Sequence, residues 1–242
     1  MKIERVHRVQ ADQARGVVIV IDVIRAFSVA AYAFAGGARA LWLVRTVEEA
    51  LALRERAPDA LLVGEVGGRL ILGFDHNNSP AAMSRADVHG RLLIQRTGAG
   101  TQGAVGATGA DALLLAALVN ARATADYARM LAEQGSQVVT LVSTAAPTED
   151  GGLPAIEDDV CADYLAALLQ RHADAADTLA AGVERLRACG RLTVFERGYP
   201  DFPADDPLAF MDVDRFAFAM PCVREYWRDI EYVEARRMDV SA

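Results

Sequence analysis

The sequence has few cysteines, fewer basic than acidic residues and no long apolar run. Its three cysteines, Cys161, Cys189 and Cys222, are widely spaced and odd in number, so we expect neither a disulfide framework nor a cysteine-based zinc site. No apolar run is long enough to span a membrane, and charges occupy the N-terminal positions where a signal peptide would be apolar. We therefore expect a soluble protein of the cytoplasm with reduced thiols.

Acidic residues outnumber basic ones. The 242 residues carry 25 Lys and Arg against 33 Asp and Glu, for a net charge of −8, and no basic run is present. A nucleic acid partner is therefore not expected. With 52% hydrophobic residues, the chain is long enough to bury a sizeable core. No repeat or linker is evident, so we predict one domain over residues 1–242. A homodimer is our expectation from acidic globular enzymes of this size.

Strand and helix patterns alternate along the chain. Short apolar runs predict strands at residues 17–21, 40–44, 61–63, 92–94, 112–116 and 137–142. Helical patterns separate several of these runs. Thr46 with Glu49 forms a capping box, and Ser79 with Pro80 fits the N-cap and first position of another helix. The alternation predicts a layered α/β fold. Two late strands, at residues 216–223 and 230–235, have no long helix between them, so part of the sheet is expected to be antiparallel.

The first predicted strand is the stretch around which the chain is organised. Val17–Ile21 is apolar throughout, which is typical of a strand buried on both faces, and Asp22 and Arg25 follow it. Ligands bind beyond the carboxyl ends of such strands, where Asp22 would suit a hard cation and Arg25 an anion. The alternative is that Asp22 caps the next helix and pairs with Arg25. This segment alone does not decide between them.

A glycine-rich loop follows the strand at residues 92–94. Gly98, Gly100 and Gly103 fit the spacing of a dinucleotide-binding loop, but no acid ends the next strand. We interpret the loop as a phosphate cradle to which Thr97 and Thr101 add hydroxyl donors. The alternative is a tight turn that packs a helix against the sheet.

Acids stand at the ends of buried elements. Asp22 and Glu65 follow strands, and Glu157 and Asp158 begin a helix. Lone acids in such places are often caps, and Asp158 fits that description. Four of them on one rim would instead suit Mg²⁺, which takes carboxylate ligands completed by water.

These motifs together resemble the 2-phosphosulfolactate phosphatase (ComB-like) family, over roughly residues 17–166. The resemblance rests on Asp22–Ala26, Gly64–Glu65 with Gly67, Gly73–Asp75, Asn78–Pro80, Thr97 with Gly100–Thr101, and Glu157–Asp158. It implies a three-layer α/β/α fold with a mixed, mostly parallel sheet. It also implies Mg²⁺-dependent hydrolysis of 2-phosphosulfolactate, on the route to coenzyme M.

Our hypothesis assigns a role in this reaction to individual residues. The predicted metal ligands are Asp22, Glu65 and Asp158. The predicted catalytic residues are Asp22, Arg25 and Glu157, with Glu157 positioning or deprotonating the water. The predicted substrate contacts are Arg25, Asn78, Ser79, Thr97, Gly98, Gly100 and Thr101. Whether Asp22 is a metal ligand or a nucleophile stays open.

The sequence departs from the family pattern at the substrate end. Asn77 stands where the family usually has glycine, and the loop from Thr97 to Thr101 lacks an asparagine and a threonine. Another small phosphorylated acid is therefore an alternative substrate. Two other functions also remain: a non-catalytic protein that binds a phosphorylated or sulfonated metabolite, and a dinucleotide-dependent oxidoreductase.

Overall fold

The computed structural model describes residues 1–145 and 156–240. Their strands are β1 (Lys2–His7), β2 (Val17–Ile21), β3 (Ala40–Leu43), β4 (Leu61–Val66), β5 (Arg69–Leu70), β6 (Leu92–Arg96), β7 (Ala112–Ala116), β8 (Val138–Ser143), β9 (Phe218–Trp227), β10 (Ile230–Ala235) and β11 (Met238–Asp239). The α-helices are α1 (Ala26–Ala35), α2 (Val47–Arg56), α3 (Pro80–Met83), α4 (Gly100–Gly106), α5 (Ala121–Gln134), α6 (Glu157–Leu169), α7 (Ala175–Ala188), α8 (Thr193–Glu196) and α9 (Asp206–Phe210). Short 3₁₀ turns cover Arg8–Gln13 and Leu118–Asn120.

The strands form a mixed, mostly parallel sheet in the order β1-β8-β2-β7-β9-β10-β3-β6-β4-β5, with β11 paired to β9. Strands β1, β8, β2 and β7 form one parallel block, and β3, β6 and β4 form a second. The hairpin β9–β10 lies between the blocks and pairs antiparallel with β7 on one side and β3 on the other. The predicted antiparallel part of the sheet is thus its centre.

The two parallel blocks run in opposite directions, because three antiparallel pairings separate them. In a flat sheet their carboxyl ends would lie at opposite edges. Neighbouring strands are rotated by about 20–25°, however, and this twist accumulates over the six steps from β2 to β4. The loop after β6 accordingly reaches both Glu65 on β4 and Asp22 after β2: the Gly98 amide lies 2.6 Å from the Glu65 carboxylate, and Gly100 packs against Asp22.

Helices cover both faces of the sheet. Val18 and Val20 on β2 pack with α1 and α4, whereas Val17, Ile19 and Ile21 pack with α5 and α6. A third cluster, between α2 and the β10-β3-β6-β4 part of the sheet, contains Trp42 and Tyr232. The predicted three-layer α/β/α fold is confirmed, and burial on both faces explains why β2 is apolar throughout.

Local signals at two helix starts are also confirmed. The Glu49 amide donates to Thr46 Oγ1 at 3.1 Å, and the Glu49 carboxylate accepts from the Thr46 amide at 3.0 Å. Ser79 caps α3 by accepting from the Ala82 amide at 3.1 Å, and Pro80 is the first helical residue. None of the helices in residues 1–145 and 156–240 is long and apolar enough to cross a lipid bilayer.

The sequence did not predict β1. This strand lies at an edge of the sheet, pairs with β8 alone and is at least partly exposed along its length. Charged residues such as Lys2, Glu4 and Arg5 are therefore tolerated, and they interrupt the apolar pattern by which a strand is predicted. Helix α1 begins at Ala26, whose amide donates to the Asp22 side chain.

Replacing Ile19 by Ala should lower the free energy of unfolding by about 2–5 kcal/mol, because the side chain is fully buried in β2. Denaturant unfolding would measure the loss. Leu51→Ala is the control, since Leu51 is 47% exposed on α2 and its replacement should change stability by no more than about 0.5 kcal/mol. Equal losses would contradict the assignment of β2 to the core.

Candidate active site

A cleft of about 210 Å³ opens where the ends of β2, β4 and β6 meet. Its charged walls are Asp22, Glu65, Arg25 and Arg191. The other walls are Ile24, Gly67, Gly68, Asn78, Thr97, Ala99, Val194, Phe195 and Phe202. Pockets for drug-sized ligands are roughly 300–1,000 Å³, so this cleft suits a small polar molecule.

Asp22 is buried at the bottom of the turn that follows β2, with 4% of its surface exposed. Its Oδ1 accepts a hydrogen bond from the Ala26 amide at 2.8 Å. On its other side lies Gly100, where a Cβ atom would come within 2.5 Å of Asp22 Oδ2 and 2.8 Å of the Ala26 methyl group. Glycine is therefore required for α4 to begin this close to the carboxylate.

Burial raises the pKa of Asp22 to about 6, against the opposing effect of the Ala26 amide, and the nearby Glu157 and Glu65 carboxylates raise it further. Asp22 is thus a group that can hold or release a proton near neutrality, or bind a cation.

Asp158 supports the site and does not line the cleft. Its Oδ1 accepts from the Val23 amide at 2.8 Å, and its Oδ2 accepts from both the amide and hydroxyl of Thr144 at 3.0 Å and from the Ala145 amide at 2.8 Å. These bonds tie the end of β8 to the turn after β2. Burial, with Asp22 and Glu157 contributing, raises the pKa of Asp158 well above its usual range.

Glu65 joins two loops at the cleft. Its Oε1 accepts from the Gly98 amide and its Oε2 from the Gly68 amide, each at 2.6 Å. The side chain is 9% exposed and contributes to the cleft wall. Glu65 therefore fixes the glycine loop while facing the same space as Asp22.

Arg25 pairs with Asp206 and not with Asp22. Arg25 Nη1 lies 2.8 Å from Asp206 Oδ2, and the two side chains are 3% and 0% exposed. The rings of Phe202 and Phe195 flank the guanidinium, with centroids 4.8 and 5.7 Å from its Cζ. The alternative interpretation, in which Asp22 caps the helix and pairs with Arg25, is thus confirmed for the cap and wrong for the pairing.

Asp206 is buried and bonded to several groups, and the sequence did not predict its role. Besides Arg25, it accepts from the Ser79 hydroxyl at 2.6 Å and from the Ala81 amide at 3.1 Å. Ser79 is therefore engaged in supporting contacts and does not line the cleft, whereas its neighbour Asn78 does.

Glu157 is held by Arg191. Arg191 donates to Glu157 Oε1 through Nη2 at 2.9 Å and through Nε at 3.1 Å, and a further contact joins Nε to Oε2 at 3.3 Å. Glu157 is 2% exposed, and like Asp158 it does not line the cleft. Of the four predicted acids, the structure thus places Asp22 and Glu65 on the cleft wall and the other two beneath it.

The glycine loop is explained largely by packing. Thr97 and Thr101 bond each other, amide to hydroxyl, at 3.0 and 3.2 Å. A Cβ atom at Gly103 would lie 2.8 Å from a Thr144 methyl group and 3.0 Å from Val20. The tight-turn interpretation therefore accounts for Gly100 and Gly103, which weakens the case for a dinucleotide site. Thr97 still faces the cleft.

The site residues that the sequence did not predict lie after the part of the chain that contains the motifs. Arg191, Phe195, Phe202 and Asp206 all lie after residue 166, in a segment of short helices and turns. No strand end or spacing pattern marks them. Arg25 offered the only signal, because a buried arginine requires an acidic partner.

Asp22→Asn should stabilise the fold at pH 7. The folded-state pKa of Asp22 lies above its unfolded value, so the folded protein binds the proton more tightly and its stability falls as pH rises from about 4 to 6. Removing this charge should raise the free energy of unfolding at pH 7 by on the order of 1–3 kcal/mol, with the gain vanishing below about pH 4. Urea unfolding at several pH values measures it.

The control is Asp87→Asn, which neutralises an exposed acid. It should leave the pH dependence of unfolding unchanged. A loss of stability in Asp22→Asn at pH 7 would contradict the raised pKa.

Comparisons with known proteins identify a family for the chain. A family model described as 2-phosphosulpholactate phosphatase matches residues 3–192. A Bacillus subtilis protein is 40% identical over 152 residues, 63% of each chain, and a Deinococcus radiodurans protein is 42% identical over 153 residues, 63% of this chain and 62% of that one. A Thermosynechococcus vestitus protein is 34% identical over 207 residues, 83% of this chain and 80% of that one.

Each of these relatives is named a probable 2-phosphosulfolactate phosphatase. The chain spans about three fifths of the length of the first two. The family model, by contrast, covers most of the chain, from β1 past α7. The chain belongs to the 2-phosphosulfolactate phosphatase family.

Proposed function

We propose that this protein hydrolyses a small phosphate monoester that carries a further anionic group, with 2-phosphosulfolactate as the first substrate to test. The observation that carries the proposal is the cleft itself, in which a buried carboxylate, Asp22, and a buried guanidinium, Arg25, occur three residues apart on one turn. The relatives' names support the reaction class. The family membership also leads us to propose that the reaction belongs to the route to coenzyme M.

Arg25 is the proposed phosphate-binding cation. An arginine presents N–H donors in a planar fork that matches phosphate oxygens. Arg25 Nη1 donates to Asp206 and to the Asp201 carbonyl, each at 2.8 Å, and Nη2 lies 3.4 Å from the Gly68 carbonyl. These contacts and the two flanking rings fix the guanidinium before substrate arrives, so its Nε–Nη2 edge is the one proposed to bind phosphate. The amides of Ala99 and Gly100 donate to no protein acceptor within residues 1–145 and 156–240, and they lie beside Asp22 at the start of α4. We assign them, with Thr97, to the same phosphoryl group.

Mg²⁺ fits the donors that line the cleft. Mg²⁺ is usually held by one or two carboxylates together with water and substrate phosphate oxygens. Asp22 and Glu65 are two such carboxylates on one wall. Burial is the main cause of the raised pKa of Asp22, and the Glu157 and Glu65 carboxylates add a repulsion that a cation would relieve. In the described part of the chain no three His, Cys, Asp or Glu side chains form a ready metal cluster. When bound, Mg²⁺ would polarise the phosphoryl oxygen and lower the pKa of a water molecule.

We revise the proposed roles of the other two acids. The four hydrogen bonds accepted by Asp158 suit a residue that shapes the turn under Asp22. Both oxygens of Glu157 contact Arg191, which leaves Asp22 as the proposed group for holding or moving the proton of the attacking water.

Phosphate release from a panel of small esters tests the proposal. 2-Phosphosulfolactate and 2-phospholactate should release phosphate in the presence of Mg²⁺, and excess chelator should stop the release. Asp22→Asn should lower kcat by at least about 100-fold, the usual effect of losing a group that transfers a proton. Circular dichroism would confirm that the variant is folded.

Asp87→Asn again serves as the matched control and should keep full activity. Turnover in Asp22→Asn at the level of the unchanged protein would remove Asp22 from the mechanism. Tight binding of the esters without release by the unchanged protein would instead favour the metabolite-binding function.

A further inference from the structure

We propose that Arg191 is the specificity-determining residue of the cleft, where it binds the second oxyanion of the substrate, a carboxylate or sulfonate, and that Glu157 positions it. This inference rests on the proposed function. Arg191 follows α7 in a segment that carries no recognised motif, yet its side chain forms part of the cleft wall.

Two guanidinium groups line one small cleft, and each is held by its own buried acid. Asp206 holds Arg25, and Glu157 holds Arg191. The two arginines come from different parts of the fold, Arg25 from the turn before α1 and Arg191 from the turn after α7. Two fixed cations around about 210 Å³ match a ligand with two anionic groups on neighbouring carbon atoms.

The two arginines differ in exposure, and this difference assigns their roles. The Arg25 side chain is 3% exposed, whereas that of Arg191 is 32% exposed. Arg25 is locked between rings and next to Asp22, which suits the phosphoryl group that every substrate shares. Arg191 is the more accessible, which suits the group that distinguishes one substrate from another.

Arg191 retains donors for this task. Its bonds to Glu157 use Nε and Nη2, and its Nη1 donates to no group in the described residues. A paired guanidinium still offers the outer N–H groups of its fork to a carboxylate or sulfonate. Because Glu157 is buried and contacts Arg191 from one side, it fixes the plane in which those N–H groups point.

Val194, Phe195 and Phe202 complete the wall near Arg191. These apolar side chains give the carbon skeleton of a small ligand a surface to pack against, while the two arginines take its ends. The arrangement therefore predicts discrimination by charge at one position of the ligand and little discrimination by its skeleton.

The test compares two esters with the same skeleton, 2-phospholactate and isopropyl phosphate, in which a methyl group replaces the carboxylate. In Arg191→Met, kcat/KM for 2-phospholactate should fall by about 10- to 100-fold, the usual loss for a charged hydrogen bond. Hydrolysis of isopropyl phosphate should change by no more than about threefold, since no interaction with that ester is removed. Arg191→Lys should recover part of the loss. Arg187→Met, which alters an exposed arginine of α7, is the control.

Glu157→Gln separates positioning from proton transfer. If Glu157 positions Arg191, KM should rise for 2-phospholactate but not for isopropyl phosphate, while the pH profile of kcat keeps both of its limbs. If Glu157 is the base, kcat should fall for both esters and one limb of the pH profile should disappear. The second result would overturn the positioning role.

Equal losses on both esters in Arg191→Met, or no loss on 2-phospholactate, would overturn the assignment of Arg191. Failure of the unchanged protein to hydrolyse any ester would count against the proposed function instead. In that case calorimetry would measure the binding of the same two esters. The assignment of Arg191 then requires that Arg191→Met weaken the binding of 2-phospholactate but not that of isopropyl phosphate. Absence of binding to the unchanged protein would overturn it too.

Discussion

Burying several carboxylates in one place is the constraint on which the rest of the site depends. Asp22, Glu157 and Asp158 are each no more than 4% exposed, and an ionised carboxylate without partners is costly in such surroundings. Each of these carboxylates is stabilised by different partners. Backbone amides donate to Asp158 and Arg191 pairs with Glu157, whereas Asp22 accepts from one backbone amide only among the residues that the structure describes. The least satisfied acid is thus the one that faces the cleft, which is where a reactive group is useful.

The same constraint explains why the C-terminal part of the chain takes part in the site. Arg25 lies beside Asp22, but its charge is balanced by Asp206 from α9. Had Arg25 paired with Asp22, each would have cancelled the other and neither would have been available to a ligand. The separation of the two charges depends on a residue 181 positions away, so the cleft cannot form from the first strands and helices alone.

The sequence predicted the layered α/β fold, the mixed sheet and the residues at strand ends, because these depend on local apolar patterns and caps such as Thr46 and Ser79. It could not predict that the β9–β10 hairpin lies between the two parallel blocks, since pairing between distant strands leaves no local pattern. For the same reason it found Arg25 and Glu157 but not the partners Asp206 and Arg191. Edge strand β1 was missed because a half-exposed strand tolerates charge.

In the glycine loop, the spacing of the glycines suggested one function, but the structure gives a different physical reason for two of them. Spacing alone suggested a phosphate or dinucleotide cradle, yet Gly100 and Gly103 are glycines because Asp22, Val20 and Thr144 approach them too closely for a side chain. This close approach still serves the site, since it brings the start of α4 against the carboxylate that follows β2. The glycines therefore act on function through packing: they allow two strand blocks of opposite direction to present their ends to one cleft.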